Sequence, residues 1–272
     1  MELSASQRDG TVLLLSFTNR FALASHSWNV TAVYAARWGY AVRFVRADAP
    51  GLAYRALRPN ASQVPAAWEK VPLIGSALDE RTDAGEHLFS TVVWLDDDCF
   101  INKQAVPVSE WTSLLHARRK DLLFGAERPD FDVAANRTWA PMNSGVIIIR
   151  NSWWTRTFFG SRFISLCTDE EVARSKCCWE QDCFDRLYLG NLDETAAHTH
   201  TINAASINCV WAIRSYSGTC EPWALHFMGP TKPFLAESAA LWHELGGQPL
   251  TLQTVCNRTT RLRSHASCRP FV

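Results

Sequence analysis

The chain has 272 residues, 47% of them hydrophobic and 20% charged, with a formal net charge of zero. That is enough apolar material for a full core, while balanced charge without a long basic run excludes the electrostatic footprint of a nucleic-acid binder. The longest purely apolar runs, such as Val12 to Leu15 and Val146 to Ile149, fall far short of the roughly 20 residues a spanning helix needs, so no membrane anchor is expected within this chain.

Met1 to Gly10 are polar and lack the apolar stretch of a signal peptide. "TVLLLSFTN", residues 11 to 19, then reads as a buried strand that ends in polar loop residues. A helix is expected from about Ser25 to Trp38, closed by Gly39, and a second strand from Tyr40 to Arg46. This β-α-β start predicts an α/β fold with a mainly parallel central sheet, its ligand site lying beyond the carboxyl ends of the strands. Pro50 to Gln63 reads as a loop, and Trp68 to Leu78 as a helix.

A strand from Ser90 to Leu95 then runs into Asp96, Asp97 and Asp98. "VSEWTSLLHARRKD" reads as a helix with Ser109 near its start, residues 122 to 127 as a strand, residues 128 to 141 as a long polar loop and "SGVIIIRN" as another buried strand. Helices follow from Ser152 to about Cys167 and from Trp179 to Leu189. No repeat or linker divides the chain. The expected organisation is a leading segment 1–10, a single domain 11–249 and a cysteine-containing tail 250–272.

Three adjacent aspartates at the end of a buried strand repel one another and are poorly solvated, so a positive group should compensate them. Strand alternation would put Asp96 and Asp98 on one side and Asp97 on the other. Two hard carboxylates so placed suit Mn²⁺ or Mg²⁺ carrying a phosphate; the plainer alternative is a solvated acidic turn. Two later stretches offer partners. "CWEQDCFDRLY" sets Glu180, Gln181 and Asp182 at a helix start, where the dipole favours acids. "ALHFMGPTKPF" places His226 after an apolar run, Gly229 where backbone can approach a ligand, and Lys232 within reach of a phosphate. Glu180 and Asp182 read equally as first-turn acids, and His226 as a core histidine.

Two signals bear on compartment. Four Asn-x-Ser/Thr sequons occur, at Asn29, Asn60, Asn136 and Asn257. Of nine cysteines, eight follow Cys167 inclusive, an even set that suits disulfides in an oxidising lumen, with free buried thiols as the alternative. Together they favour the lumen of the Golgi or endoplasmic reticulum over the cytoplasm, with an anchor absent from this chain. The 12 tryptophans include Trp139, Trp153 and Trp154, which flank the Asn143 segment and offer flat apolar faces for a ligand ring.

The ordered motifs "WEKVPLIGSAL", "VVWLDDDCF", "MNSGVIIIRNSWW", "WEQD" and "HFMGPTKPF" resemble a GT-A glycosyltransferase that uses a nucleotide sugar and a divalent metal. The match runs from about Thr11 to Phe234. "NVTAVYAARWGY", "WEKVP" and "NSGVIIIRNSWW" are similar to the retaining α-galactosyl/xylosyltransferases of glycosyltransferase family 34. The His-x-x-Gly-x-x-Lys-Pro spacing of "HFMGPTKPF" is similar to family 8.

The resemblance implies Asp96 and Asp98 as an Asp-x-Asp pair on Mn²⁺ (or Mg²⁺) with His226 as a third ligand, and Asp97 near ribose or water. It implies that Lys232 stabilises the departing diphosphate, that Thr18 and Asn19 hold the nucleoside, and that Asn143 and Ser144 touch the donor sugar. Glu180 and Gln181 would lie near the anomeric carbon of a retaining enzyme, with Glu180 standing where relatives commonly have Asp. The implied reaction moves a hexose or pentose, most simply UDP-linked, to a glycan acceptor, on which Trp139, Trp153 and Trp154 could stack. A catalytically silent GT-A domain that binds a glycan or partner is the alternative. A haloacid-dehalogenase phosphohydrolase fits less well, because two strands precede the aspartates and Phe100 stands where that family has Thr or Val.

Overall fold

The computed structural model describes residues 11–47, 52–57, 65–126, 142–167, 179–210, 222–227, 232, 234–251 and 254. Strand β1 (Val12–Thr18) is buried throughout, and its side chains alternate between two cores. Leu13, Leu15 and Phe17 enter one, Val12 and Leu14 the other. A strand covered on both faces must be apolar at every position rather than at every second one, which is why "VLLLSF" carries no polar stripe. Helix α1 (Phe21–Trp38) begins four residues earlier than its apolar pattern predicts, and Gly39 closes it in the left-handed conformation, φ 70°, where a side chain is disfavoured. β2 (Ala41–Arg46) is a half-exposed edge strand.

The segment expected to be loop contains a short helix, α2 (Leu52–Leu57). A 3₁₀ turn (Ala66–Glu69) leads directly into α3 (Lys70–Asp79). β3 (Thr91–Leu95) runs parallel to β1, and β4 (Cys99–Ile101) leaves for a second sheet. α4 (Val108–Arg118), β5 (Leu122–Ala126) and β6 (Met142–Arg150) follow. Next come α5 (Trp153–Thr157), a π turn (Phe158–Arg162), α6 (Phe163–Leu166) and α7 (Trp179–Leu189). The chain continues through α8 (Thr195–His198), β7 (Thr199–Asn203), α9 (Ala204–Ile207), β8 (Asn208–Val210), β9 (Ala224–His226) and α10 (Leu235–Glu244).

The six-stranded sheet has the order β2-β1-β3-β6-β5-β7. β1 pairs parallel with β2 and β3, and β5 with β7, while β6 runs antiparallel to both its neighbours. The sheet is therefore mostly parallel, as expected, and its one reversed strand decides where the site residues lie. Because Leu95 pairs with Val146 and Thr91 with Arg150, β6 begins at the edge where β3 ends. Asn143 and Ser144 reach that edge from the start of a strand, not from its end.

Helices α3, α5, α6 and α7 cover one face around Trp68, Phe159 and Phe184, and α1 and α4 cover the other. The smaller sheet, β4-β9-β8, packs under α1 and α10. Leu250, the first residue of the expected tail, is pinned to this body by Asn102, whose Oδ1 accepts from Leu250 N at 2.7 Å and whose Nδ2 donates back to Leu250 O at 3.0 Å. Cys167 and Cys183 form a disulfide between the end of α6 and α7. Cys99 is a free, buried thiol. Asn29 is an exposed residue of α1; the sequons at Asn60, Asn136 and Asn257 lie outside the described residues. No described helix is long and apolar enough to cross a membrane.

Candidate functional site

The three aspartates follow β3 at the carboxyl edge of the sheet. They do not continue the strand: Cys99 N donates to Asp96 O at 2.9 Å, closing a turn, so strand alternation no longer governs their directions. The carboxylates fan out to three sets of partners. Asp96 Oδ1 accepts from Trp94 Nε1 at 2.6 Å and lies 3.2 Å from Lys70 Nζ. Asp97 is clasped by Arg20, and its Oδ2 accepts from Thr18 Oγ1 at 2.6 Å. Asp98 meets His226 Nε2 at 3.2 Å, Lys232 Nζ at 2.8 Å and Arg20 at 3.8 Å.

His226 is brought to Asp98 by the second sheet. It pairs with Cys99 across β4 and β9, and Phe227 N donates to Asp98 O at 2.9 Å. The approach requires a glycine behind it. A Cβ on Gly145 would stand 2.3 Å from His226 Cε1 and 2.6 Å from Nδ1, closer than any side chain tolerates. The glycine of "NSGV" therefore makes room for the imidazole.

A second cluster lies behind the turn. Lys70, at the start of α3, is wholly buried. Its Nζ donates to Ser144 O at 2.8 Å, to Ser144 Oγ at 3.0 Å and to Glu180 Oε1 at 2.6 Å. Ser144 Oγ donates to Glu180 Oε1 at 2.9 Å, and Ser144 N donates to Gln181 Oε1 at 3.0 Å. The start of β6 thus ties Glu180 and Gln181, on α7, to the aspartate turn through one lysine. Glu180 Oε2 is buried without a hydrogen-bond partner among the described residues. Asn143 turns inward: its Oδ1 accepts from Gly145 N at 2.9 Å and from Asn208 Nδ2 at 2.5 Å.

Electrostatics follow from this crowding. Burial pushes Glu180 above the ordinary carboxylate range, with Lys70 offsetting part of the effect. Burial and the adjacent Asp98 likewise push Asp97 up against the pull of Arg20. Asp98 goes the other way: burial alone would raise it, but His226 and Lys232 hold it well below the usual range. Burial by itself would lower Lys70, yet Asp96 and Glu180 outweigh it and keep the amine charged.

In front of the turn is a cavity of about 270 Å³. Thr18, Asn19 and Arg20, the three aspartates and Lys232 form its polar side, and Pro65, Ala66, Ala67 and Trp179 its apolar side. Glu180 and Gln181 are not part of this lining. Their predecessor Trp179 is, with 43% of its surface exposed.

The residues fit a divalent cation. The ligand atoms of Asp98, Cys99 and His226 lie within 4.8 Å of one another. His226 Nδ1 is buried without a hydrogen-bond partner among the described residues. Carboxylate oxygen with imidazole nitrogen suits Mn²⁺. Burial, with the acids beside it, pushes the Cys99 thiol up, so it remains S–H, donating to Gly145 O at 3.5 Å, and is a poor ligand for a hard ion.

The structure therefore gathers Thr18, Asn19, Asp96, Asp97, Asp98, His226 and Lys232 at one edge, with Ser144, Glu180 and Gln181 directly behind. Gly229 and Trp139 lie outside the described residues. Trp153 and Trp154 are not at this edge. They follow the far end of β6, beyond Arg150, which pairs with the first residue of β3. Trp154 is stacked between Phe158 and His198, and the antiparallel course of β6 puts both tryptophans at the edge opposite the aspartate turn. Sequence reasoning missed Lys70, Arg20 and Trp179. The requirement for a positive group near three aspartates was the signal for the first two, but nothing in the spacing said which of 27 Lys and Arg residues would supply it.

No model of a known protein family matches the chain, and no curated protein matches its sequence. Among solved structures, it is similar to a glycosyltransferase involved in the glycosylation of the major capsid of PBCV-1. That likeness has a TM-score of 0.55 at 14% identity, over 85% of this chain and 99% of that one. It is also similar to the galactosyltransferase LgtC, solved in complex with donor and acceptor sugar analogs, with a TM-score of 0.50 at 14% identity, over 91% of this chain and 99% of that one. The chain has the GT-A fold. Read as a GT-A domain, it spans nearly the whole length of both neighbours, and its aspartate turn and cavity lie beyond the carboxyl ends of β1 and β3, where open α/β sheets bind ligands.

Proposed function

We propose that the chain is a retaining, Mn²⁺-dependent (or Mg²⁺-dependent) glycosyltransferase that moves a hexose or pentose from a nucleotide sugar, UDP-linked on this reading, to a glycan acceptor. The observation that carries it is the meeting of Asp98, His226 and Lys232 in front of the buried Lys70–Glu180–Ser144 cluster, beside a cavity open to a phosphorylated ligand. The GT-A fold supports the same class of reaction.

Asp98 and His226, with Asp96, would hold the cation, which when bound supplies charge neutralisation to the diphosphate. Lys232 now rests on Asp98 at 2.8 Å; with a diphosphate present, its ammonium is placed to transfer to a phosphate oxygen and stabilise the charge that develops as the anomeric bond breaks. Thr18 and Asn19 form the nucleoside end of the cavity. Glu180 and Gln181 sit behind Ser144, and Glu180 Oε2, which has no hydrogen-bond partner among the described residues, would offer negative charge to a sugar that becomes cationic. Trp179 supplies the apolar face on which a pyranose can rest. The Cys167–Cys183 disulfide supports a site in the Golgi or endoplasmic reticulum lumen.

A thermal-shift titration against UDP-galactose, UDP-glucose, UDP-xylose and GDP-mannose, with and without Mn²⁺, tests the proposal beside Asp98→Ala. The expected result is a metal-dependent stabilisation by one donor, lost in the variant. No stabilisation by any donor would favour a silent GT-A domain instead.

A further inference from the structure

We infer that Arg20 is a built-in counter-cation: by clasping Asp97 it withdraws the middle carboxylate of the turn from metal binding, and it sets how tightly Asp98 and His226 hold a divalent ion. The inference rests on the metal site proposed above and goes beyond it in assigning two residues opposing effects on that site.

Three consecutive carboxylates pose a problem of excess. Among the described residues, Asp96, Asp97, Asp98 and Glu180 meet the fixed cations Arg20, Lys70 and Lys232. Arg20 is committed to Asp97. Its Nε donates to Oδ2 at 3.1 Å and a terminal nitrogen donates to Oδ1, a two-pronged contact that only a planar guanidinium makes. Thr18 Oγ1 takes Oδ2 as well, at 2.6 Å, and itself accepts from Arg20 N at 2.8 Å. Both oxygens of Asp97 are thereby met by donors from two residues, Thr18 at the end of β1 and Arg20 just beyond it. Ser27 Oγ, on α1, fixes the Asp97 carbonyl at 2.7 Å.

Asp97 is buried, so an unclasped carboxylate there would be a strong additional cation ligand or a costly unpaired charge. An arginine cannot lose its proton to relieve the site. Its guanidinium also stands 3.8 Å from Asp98 Oδ2, close enough to oppose a dication on that carboxylate. Asp96 faces Lys70 and Asp98 faces Lys232 and His226, so neither competes for the fork of Arg20. The clasp and the repulsion come from the same side chain.

The test is a charge-balanced cycle read by Mn²⁺ calorimetry, supported by loss of the free-Mn²⁺ electron paramagnetic resonance signal, on the full chain with and without UDP. Arg20→Gln should tighten Mn²⁺ about tenfold, and Asp97→Asn should weaken it by about the same factor, because the released guanidinium turns to Asp98. The double variant should return to within about twofold of wild type. Arg20→Lys keeps the charge, loses the fork and should stay within about threefold, which preserves the test if Arg20→Gln does not fold. A double variant as weak as Asp97→Asn would show Asp97 to be a ligand and overturn the inference. Unchanged affinity in a folded Arg20→Gln would overturn it equally. If wild type binds no Mn²⁺ even with UDP, the proposed metal site itself fails, and the inference with it.

Discussion

Lys70 Nζ lies 2.6 Å from Glu180 Oε1, across 110 residues of sequence and entirely out of solvent. The pair joins the start of α3 to the start of α7 under the aspartate turn. Removing one partner of such a pair strands a buried charge, which costs about 3–5 kcal/mol. Lys70→Met should therefore destabilise the fold by that amount in chemical denaturation. Lys70→Met with Glu180→Leu should recover more than half of the loss, since a neutral pair of similar volume leaves no charge unpaired. Equal instability of the single and double variants would show that Lys70 stabilises through Ser144 or Asp96 instead.

The same pair has a pH signature. Burial raises Glu180 above its ordinary value in the folded state. A carboxyl raised on folding contributes stability that is full below its unfolded value and is lost as pH rises through the folded value. Without Lys70, which pulls Glu180 down, that folded value climbs further. The cost of Lys70→Met should therefore be smaller at pH 5 than at pH 8, measured as the difference in denaturation midpoint from wild type at each pH. A cost independent of pH would mean that Glu180 does not titrate in that window.

How much of this was legible depends on the range of the interaction. β1, β3 and β6 were readable because strands covered on both faces must be continuously apolar, and the turn at Asp96 to Asp98 because acid after such a run demands an explanation. α1 and the segment before α3 were read less well. Arg20 caps no helix with its side chain, so nothing in the local pattern marks Phe21 as a start. The reversed direction of β6 was not readable, because an apolar run carries no arrow. That one unknown moved Trp153 and Trp154 to the opposite edge, and it brings Asn143 and Ser144 to the aspartate edge from the start of β6. Lys70 was hidden by its own success: a buried lysine looks like a surface one until its three partners are seen.

The disulfide offers a test independent of the site. Cys167 and Cys183 are separated by 16 residues, and closing a loop of that size in the unfolded chain stabilises the fold by about 3 kcal/mol. Reduction, or Cys167→Ala with Cys183→Ala, should lower the melting temperature by roughly 5–10 °C. Added reductant should leave the double variant unaffected; a further fall there would reveal a second bridge among the remaining cysteines.

Gly145 gives the sharpest link between backbone and chemistry. A methyl group at this position would overlap the His226 ring, with Cε1 at 2.3 Å, so the imidazole or β6 must move. β6 is held by pairing with β3 and by Asp96 N donating to Gly145 O at 2.8 Å, whereas the ring is fixed by its contact with Asp98 and by β9. Overpacking of this kind costs about 1–3 kcal/mol, and the ring is the softer partner. Gly145→Ala should therefore fold, lose a modest amount of stability and, if His226 is the ligand proposed above, bind Mn²⁺ at least about tenfold more weakly than wild type. Calorimetry on the folded variant checks this. Undiminished Mn²⁺ affinity would show that the site does not need His226 where the structure puts it, and would leave Asp96 and Asp98 to hold the ion without it.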